Sequence, residues 1–239
     1  MRPMIYLFGD SITEESFSNG GWGASLANHF SRTLDVVLRG YSGYNTRWAL
    51  KVLDKVFPAP EGGDGGVEPI AVTVFFGAND ASIPDRCSSF QHVPLHEYKQ
   101  NLHSIVSCLK KQWPTTHILL ITPPPIDEDA RLRDPYVENS MGLAERTNEA
   151  AGAYSKACVA VAGECGIPVV DLWTKMQHLP EWRKAHLRDG LHLTETGNRL
   201  VFEEVIMTLK DGGVCLETLP ADLPLLGDID PKDPLKAFQ

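Results

Sequence analysis

Five short runs of apolar residues alternate along the chain with longer segments in which apolar residues recur every three or four positions. The runs are typical of strands buried on both faces, and the longer segments are typical of amphipathic helices. The predicted strands are residues 4–8, 35–39, 70–76, 117–122 and 167–171. The predicted helices are residues 22–33, 47–56, 95–113, 140–165 and 195–209, and residues 59–66 are predicted to be a surface loop.

This alternation predicts an α/β protein in which helices cover both faces of a parallel sheet, because parallel strands need crossover connections. Right-handed crossovers then give a three-layer α/β/α sandwich, and five strands at this spacing suit the flavodoxin-like order 2-1-3-4-5. We predict one domain over residues 1–215. Residues 216–239 are rich in Pro, Asp and Leu and have no period. We interpret them as a tail that either lies along the domain or mediates self-association. A homo-oligomer is therefore one of two alternatives.

The composition describes a chain with a core and an acidic surface. Hydrophobic residues make up 43% of the sequence, and the formal net charge is −9. An acidic chain without a basic cluster disfavours nucleic acids and anionic membranes as partners. The N-terminal apolar run, Met4–Phe8, is shorter than the roughly 7–15 residues of a secretory signal, and no stretch approaches the roughly 20 residues of a membrane span. We therefore expect a cytoplasmic location and reduced cysteines.

Residues that could take part in catalysis follow the predicted strands at their carboxyl ends. Open α/β sheets bind ligands at this edge, so these residues are candidates before any chemistry is considered. They are Gly9, Asp10 and Ser11, then residues 40–45 (GYSGYN) and 77–80 (GAND), and, before the last helix, residues 189–192 (DGLH). Four separate segments therefore bring serine, glycine, asparagine, aspartate and histidine to one edge.

This set of side chains is what acyl transfer requires. A serine hydroxyl is a weak nucleophile that needs an adjacent base, and an imidazole oriented by a carboxylate supplies one. We predict that Ser11 is the nucleophile and His192 the base. The spacing of Asp189 and His192 fits a loop that places both side chains on one side, so Asp189 is predicted to orient the imidazole.

The negative charge that develops on the attacked carbonyl needs hydrogen-bond donors. The Ser11 N–H lies where a strand turns into a helix, Gly43 has no Cβ to keep its N–H from a ligand, and Asn79 carries a side-chain amide. We interpret Asp10 as a supporting residue that accepts backbone hydrogen bonds at the turn. Taken alone, Ser11 could be only a helix cap, and Gly43 and Asn79 only turn residues; their combination favours an oxyanion hole.

The segments FGDSIT, RGYSGYNTR, FFGANDA and DGLHLTETGN, in this order, resemble the four sequence blocks of the GDSL, or SGNH, hydrolases. The resemblance covers roughly residues 4–210. It extends to the isoamyl acetate-hydrolysing esterase subgroup through Tyr44–Leu50 and His92–Leu102. The chain departs from the family name at Ile12, where the family has Leu, and that apolar exchange leaves the chemistry unaffected.

The resemblance implies a triad of Ser11, Asp189 and His192 and an oxyanion hole of Ser11, Gly43 and Asn79. It also implies no metal and no organic cofactor, and a small ester of a short acyl chain as the substrate. A sugar O-deacetylase and a catalytically silent ligand-binding relative remain alternatives. A zinc site at His92, His96 and His103 is disfavoured because Pro94 separates the first two and no cysteine is spaced to help. A nucleotide-binding protein would need a glycine-rich phosphate loop, which the chain lacks.

Overall fold

Five parallel strands form one sheet in the order β2-β1-β3-β4-β5, which confirms the predicted order 2-1-3-4-5. A computed structural model describes residues 2–58, 68–133, 135 and 138–238, so the predicted loop at residues 59–66 lies outside the described residues. The strands are β1 (Met4–Gly9), β2 (Asp35–Gly40), β3 (Ala71–Phe75), β4 (His117–Ile121) and β5 (Val169–Val170).

Helices cover both faces of the sheet and complete the three-layer sandwich. They are α1 (Ser11–Glu14), α2 (Trp22–His29), α3 (Thr46–Val56), α4 (Leu95–Gln112), α5 (Glu128–Arg133), α6 (Asn148–Cys165), α7 (Leu172–Gln177), α8 (Trp182–His186) and α9 (Glu195–Asp211). Helices α2 and α9 pack on one face, and α3, α4 and α6 pack on the other.

The two faces of the sheet carry separate hydrophobic cores, because successive side chains of a strand point to opposite sides. Leu7 of β1 packs with Trp22 of α2 and Val201 of α9. Its neighbour Phe8 packs on the other side with Leu102 of α4. All five residues of β3 are buried, as expected for a central strand of a parallel sheet.

The strand register brings the carboxyl ends of the strands into one row. Gly9 pairs with Gly40 of β2 and with Phe75 of β3, and Phe75 pairs with Ile121 of β4. A Cβ atom at Gly9 would collide with Thr13 Oγ1 and with the Phe75 carbonyl oxygen, so only glycine fits where β1 turns into α1. The loops that leave these strands therefore start from the same edge.

The prediction of a helix over residues 140–165 was wrong at its N-terminal end, since α6 begins at Asn148. Thr147 is the N-cap residue, and its Oγ1 accepts the Ala150 N–H at 3.1 Å. The preceding segment leaves the helical path, and Glu145 and Arg146 are buried there. The short helices α5, α7 and α8 were not predicted, because five or six residues are too few to show a helical period.

The tail lies at the amino edge of the sheet, opposite the candidate site. Asp222 accepts a hydrogen bond from Arg2 Nε at 2.7 Å, and Arg32 Nη2 donates to the Leu223 carbonyl oxygen at 2.8 Å. Arg2 precedes β1 and also pairs with Asp35, the first residue of β2. Among the described residues, no helix combines the length and the apolar character that a membrane crossing requires.

Candidate active site

Ser11, His192 and Asp189 lie in line at the carboxyl edge of the sheet. The Ser11 Oγ atom is 2.9 Å from His192 Nε2. The other ring nitrogen, His192 Nδ1, is 2.6 Å from Asp189 Oδ2. Both separations are hydrogen-bond distances, so a hydroxyl, an imidazole and a carboxylate form one continuous chain. His192 is 5% exposed and lines the cleft.

Local backbone structure holds the serine at the start of α1. Asp10 is the N-cap residue of this helix, and its Oδ1 accepts the Ile12 N–H at 3.0 Å. The Asp10 N–H in turn donates to the Phe75 carbonyl oxygen of β3. The turn is thus fixed to the neighbouring strand, and Ser11 is the first residue beyond it.

The histidine loop is held by its own aspartate. Asp189 Oδ1 accepts the backbone N–H groups of Leu191 at 3.0 Å and of His192 at 2.7 Å. The other oxygen of the same carboxylate faces the imidazole. Thr194 then caps α9, because its Oγ1 accepts the Gly197 N–H. The short spacing between aspartate and histidine therefore folds into a closed turn.

The environment keeps Asp189 ionised. Burial alone would raise the pKa of Asp189, but the hydrogen bond and charge of His192 and the two backbone N–H groups outweigh burial. Together they hold the pKa of Asp189 well below its ordinary value. Arg131 adds a third contact, since its Nη1 lies 3.6 Å from Asp189 Oδ2 and donates to the Asp189 carbonyl oxygen at 3.2 Å. The carboxylate is therefore an anion that can face an imidazolium.

Three N–H donors belong to residues that line the cleft, namely Ser11, Gly43 and Asn79. Asn79 Nδ2 donates to the Tyr44 carbonyl oxygen at 2.8 Å, and an amide nitrogen carries a second hydrogen. The backbone N–H groups of Ser11 and Gly43 have no acceptor within the part of the chain that the structure describes. Gly43 has a φ of 79°, a backbone conformation that residues other than glycine rarely adopt.

A buried arginine connects the residues of these loops. Arg146 Nη2 donates to Asn79 Oδ1 at 2.9 Å and to Gln91 Oε1 at 2.8 Å. Gln91 Nε2 donates in turn to the Gly43 carbonyl oxygen at 2.9 Å. On its other side, Arg146 Nη1 donates to Glu145 Oε1 at 3.0 Å. Neither Gln91 nor Arg146 was among the residues predicted for the site.

Two further carboxyl groups are buried beneath the site. Burial raises the pKa of Asp10 to about 7, against the lowering effect of the Ile12 N–H. Burial likewise raises the pKa of Asp80 to about 7, although Thr46 donates to it from its backbone and its hydroxyl. Asp10 Oδ2 has no hydrogen-bond partner among the described residues. A substantial fraction of both groups is therefore neutral near pH 7.

The cleft above Ser11 is small, with a volume of about 270 Å³ including the part open to solvent. It is lined by Ser11, Gly43, Asn79, Gln91, Arg146, Leu191 and His192. A larger hollow of about 790 Å³ lies under the tail, where Arg2 faces Asp222. Ser11 and His192 line the smaller cleft, so the candidate reactive centre is there.

Two of the three histidines considered for a zinc site have other partners. His103 Nε2 is 2.6 Å from Glu164 Oε2, and His92 Nδ1 is 2.6 Å from the Ser82 carbonyl oxygen. In the described ranges, no group of three or more histidine, cysteine, aspartate or glutamate side chains is placed to hold a metal ion.

The structure brings together every residue that the sequence predicted for the site: Ser11, Gly43, Asn79, Asp189, His192 and the supporting Asp10. Five residues were not predicted from the sequence: Gln91, Arg146 and Leu191 of the cleft lining, and Arg131 and Glu145 behind it. Leu191 lies inside the predicted DGLH segment and could have been included. The charged residues gave no signal, because a buried ion pair looks in the sequence like ordinary surface charge.

Solved structures of known hydrolases share this fold. A lipase/acylhydrolase from Enterococcus faecalis superimposes with a TM-score of 0.68 at 24% identity, covering 94% of this chain and 100% of that chain. The strand order and layers are thus those of the SGNH class of hydrolases.

The sequence assigns the family within that class. Residues 5–205 match the family model for GDSL-like lipase/acylhydrolase. A GDSL esterase/lipase of Arabidopsis thaliana is 68% identical over 100% of this chain and 98% of its own length. An isoamyl acetate-hydrolyzing esterase 1 homolog of Rattus norvegicus is 43% identical over 97% of this chain and 90% of its own. The chain belongs to the GDSL-like lipase/acylhydrolase family and is a carboxylic-ester hydrolase.

Proposed function

We propose that the protein is a serine esterase that hydrolyses acetyl and other short-chain acyl esters through an acyl-enzyme on Ser11. The observation that carries this proposal is the unbroken line from Ser11 Oγ to His192 Nε2 and from His192 Nδ1 to Asp189 Oδ2. A nucleophile, a base and an orienting carboxylate in this arrangement activate an otherwise unreactive hydroxyl.

In the first half of the reaction, Ser11 Oγ attacks the ester carbonyl carbon while His192 Nε2 takes the hydroxyl proton. The bond between the carbonyl carbon and the alcohol oxygen then breaks. The alcohol leaves with the proton that His192 returns to it, and the acyl group stays on Ser11. Asp189, whose pKa is held low, stabilises the imidazolium that exists between these proton transfers.

In the second half, a water molecule attacks the acyl-enzyme and His192 Nε2 takes its proton. The bond from Ser11 Oγ to the acyl carbon breaks, and the carboxylic acid leaves as His192 returns the proton to the serine. Each step transfers only a proton and an acyl group, so the described residues suffice for the chemistry. The developing oxyanion would accept from the Ser11 and Gly43 N–H groups and from Asn79 Nδ2.

The dimensions of the cleft support a small acyl group. The space within it that a small molecule can enter is about 20 Å³, far below the roughly 300–1,000 Å³ of usual small-molecule sites, and Leu191 is a bulky apolar residue in its lining. A cleft of this size favours an acetyl or other short acyl group, whereas a long chain would have to lie on the outer surface. The rat relative, whose name refers to isoamyl acetate, points to the same kind of substrate.

Hydrolysis of p-nitrophenyl acetate, butyrate and octanoate, with an acetylated xylo-oligosaccharide beside them, tests the proposal. We expect the highest kcat/KM on acetate or butyrate, a clear fall at octanoate, and loss of all activity in Ser11→Ala. Ser18→Ala is the matched control, because this serine is exposed and lies outside the cleft. Its kinetics should equal those of the unmodified protein.

The outcomes separate the alternatives. Octanoate hydrolysed as fast as acetate would contradict the short-acyl preference. Rapid release of acetate only from the sugar would favour an O-deacetylase. A protein that binds these esters without turnover, and whose Ser11→Ala variant behaves in the same way, would be a silent ligand-binding relative.

A further inference from the structure

We propose that Arg146 is the positioning residue of the oxyanion hole: it fixes the orientation of the Asn79 amide and, through Gln91, the loop that carries Gly43. This inference rests on the function proposed above and deepens it. Arg146 acts through its neighbours, because its hydrogen bonds go to protein atoms and not to the position of a reacting carbonyl.

All three guanidinium nitrogens of Arg146 are engaged within the protein. Nε donates to the Ala78 carbonyl oxygen at 2.9 Å and Nη1 to Glu145 at 3.0 Å. Nη2 donates to the side-chain oxygens of Asn79 and Gln91. The Arg146 side chain is only 4% exposed, although it borders the cleft. It therefore forms a rigid support behind the donors.

The guanidinium determines which end of the Asn79 amide faces it. Arginine carries only donors, so it accepts only the oxygen Oδ1 as a partner. Nδ2 is then turned towards the Tyr44 carbonyl oxygen and the cleft. In a flipped amide, the Asn79 NH₂ group would face the N–H donors of Arg146. Its oxygen would then face the oxyanion and repel it. Arg146 thus selects the one amide orientation that can assist acyl transfer.

The same argument applies to Gln91. Its Oε1 accepts from Arg146, so its Nε2 is available for the Gly43 carbonyl oxygen at 2.9 Å. The backbone of Gln91 is held as well, since Asn45 Nδ2 donates to its carbonyl oxygen at 2.9 Å. Gly43 sits in the left-handed region with no side chain to secure it, and this bond holds its loop. Two of the three proposed oxyanion donors therefore depend on one arginine.

Glu145 anchors the arginine from behind. Glu145 Oε1 accepts from Arg146 and also from Arg131 Nε at 2.8 Å, and all three side chains are buried. Arg131 continues to Asp189, which it contacts through the carbonyl oxygen at 3.2 Å. Buried charges persist only when they are paired, so this Arg131–Glu145–Arg146 cluster is a fixed link between the triad and the oxyanion hole.

A double-mutant cycle tests whether Arg146 works through Asn79. Arg146→Lys keeps the charge but replaces a planar fork with a single ammonium that cannot make all these bonds. We expect kcat to fall roughly 10- to 100-fold while KM changes less than about threefold, since a misaligned donor costs less than the about 10²–10³-fold loss of a removed donor. In the Asn79→Ala background the same change should lower kcat by a clearly smaller factor, because the amide that Arg146 orients is gone and only the Gly43 loop still depends on the arginine.

A second variant keeps the inference testable if Arg146→Lys unfolds. Gln91→Glu retains the oxygen that faces Arg146 and loses the nitrogen that donates to Gly43. We expect it to fold, as judged by circular dichroism and thermal melting, and to lower kcat at nearly constant KM. Arg199→Lys, at an exposed arginine of α9, is the matched control and should leave both constants unchanged.

The results distinguish this inference from the proposed function. Equal losses for Arg146→Lys in the two backgrounds, or unchanged kcat in both Arg146→Lys and Gln91→Glu, would overturn the role of Arg146. If Ser11→Ala is inactive in the same experiment, the esterase proposal stands without it. Activity retained in Ser11→Ala would instead overturn the esterase proposal itself.

Discussion

The Asp189 carboxylate contacts His192 twice: Oδ2 lies 2.6 Å from the imidazole Nδ1, and Oδ1 accepts the His192 backbone N–H at 2.7 Å. One side chain therefore fixes both the position of the loop and the orientation of the ring. Since Nδ1 faces an acceptor, it carries the proton, and Nε2 is left to accept from Ser11. The chemistry proposed for Ser11 depends on this assignment of the imidazole tautomer.

Replacing Asp189 by asparagine tests the tautomer. Asn would keep an oxygen for the backbone N–H groups but would turn an NH₂ group towards Nδ1, so the proton would move to Nε2. We expect kcat to fall by about 10⁴-fold, as in serine proteases, with little change in thermal stability. Asp54→Asn, at an exposed residue of α3, is the control. A loss below tenfold would show that Asp189 does not orient the base.

Removing the Asn79 amide tests the oxyanion hole. We expect Asn79→Ala to lower kcat by about 10²–10³-fold, because one donor to the transition state is lost. Asn79→Asp should be worse, since it keeps an oxygen for Arg146 but presents a second oxygen to the developing negative charge. Steady-state kinetics on p-nitrophenyl acetate measures both, with Asn28→Asp at an exposed position of α2 as the control. Near-normal kcat in Asn79→Asp would exclude the donor role.

The raised pKa of Asp10 predicts a particular dependence of stability on pH. The folded protein favours the neutral carboxyl, so its contribution is fully present below about pH 3.8 and is lost as the pH rises through about 7. Asp10→Asn imitates the neutral form at every pH. Between pH 4 and pH 8, its free energy of unfolding should therefore rise relative to that of the unmodified protein, by at most about 4 kcal/mol.

Urea unfolding at pH 4, 6 and 8 measures this difference. Asp54→Asn replaces an exposed aspartate, so its free energy of unfolding should change with pH as that of the unmodified protein does. A constant difference between Asp10→Asn and the unmodified protein over this range would mean that Asp10 is ionised in the fold like an ordinary surface carboxylate.

Leu191 is expected to limit the length of the acyl group. It is 4% exposed and lines the cleft next to His192. Leu191→Ala should increase the ratio of kcat/KM on octanoate to that on acetate by about tenfold or more, in line with about 1–3 kcal/mol for an apolar pocket contact. The same substitution should lower the free energy of unfolding by about 2–5 kcal/mol. An unchanged ratio would place the acyl group elsewhere, and Leu132→Ala, at an exposed residue of α5, is the control.

The strands and the residues that follow them could be predicted from the sequence because each lies within a short, continuous signal. The run Ile70–Phe76 is apolar except for Thr73, and its central residues form the fully buried strand β3. Once parallel strands are inferred, their carboxyl ends must share an edge, and this places Ser11 and Asn79 near one another before any coordinates are known.

The arginine cluster could not be predicted, because its members gain meaning only from tertiary contacts. Arg131 lies in a charged stretch that resembles a surface, yet it is 1% exposed and paired with Glu145. Arg146 falls in a segment that the pattern assigned to a helix. The capping contact of Thr147 marks the start of α6 at the next residue. In the sequence, Thr147 is one of several residues that could cap a helix.

Covalent labelling of Ser11 tests the central claim most directly. A fluorophosphonate reacts with an activated serine, and intact-protein mass followed by peptide mapping locates the adduct. We predict one adduct per chain, located on Ser11, formed rapidly in the unmodified protein and abolished in Ser11→Ala and in His192→Ala. An unlabelled Ser11 in the folded, unmodified protein, or a label of equal rate in His192→Ala, would contradict the activation of Ser11 by His192.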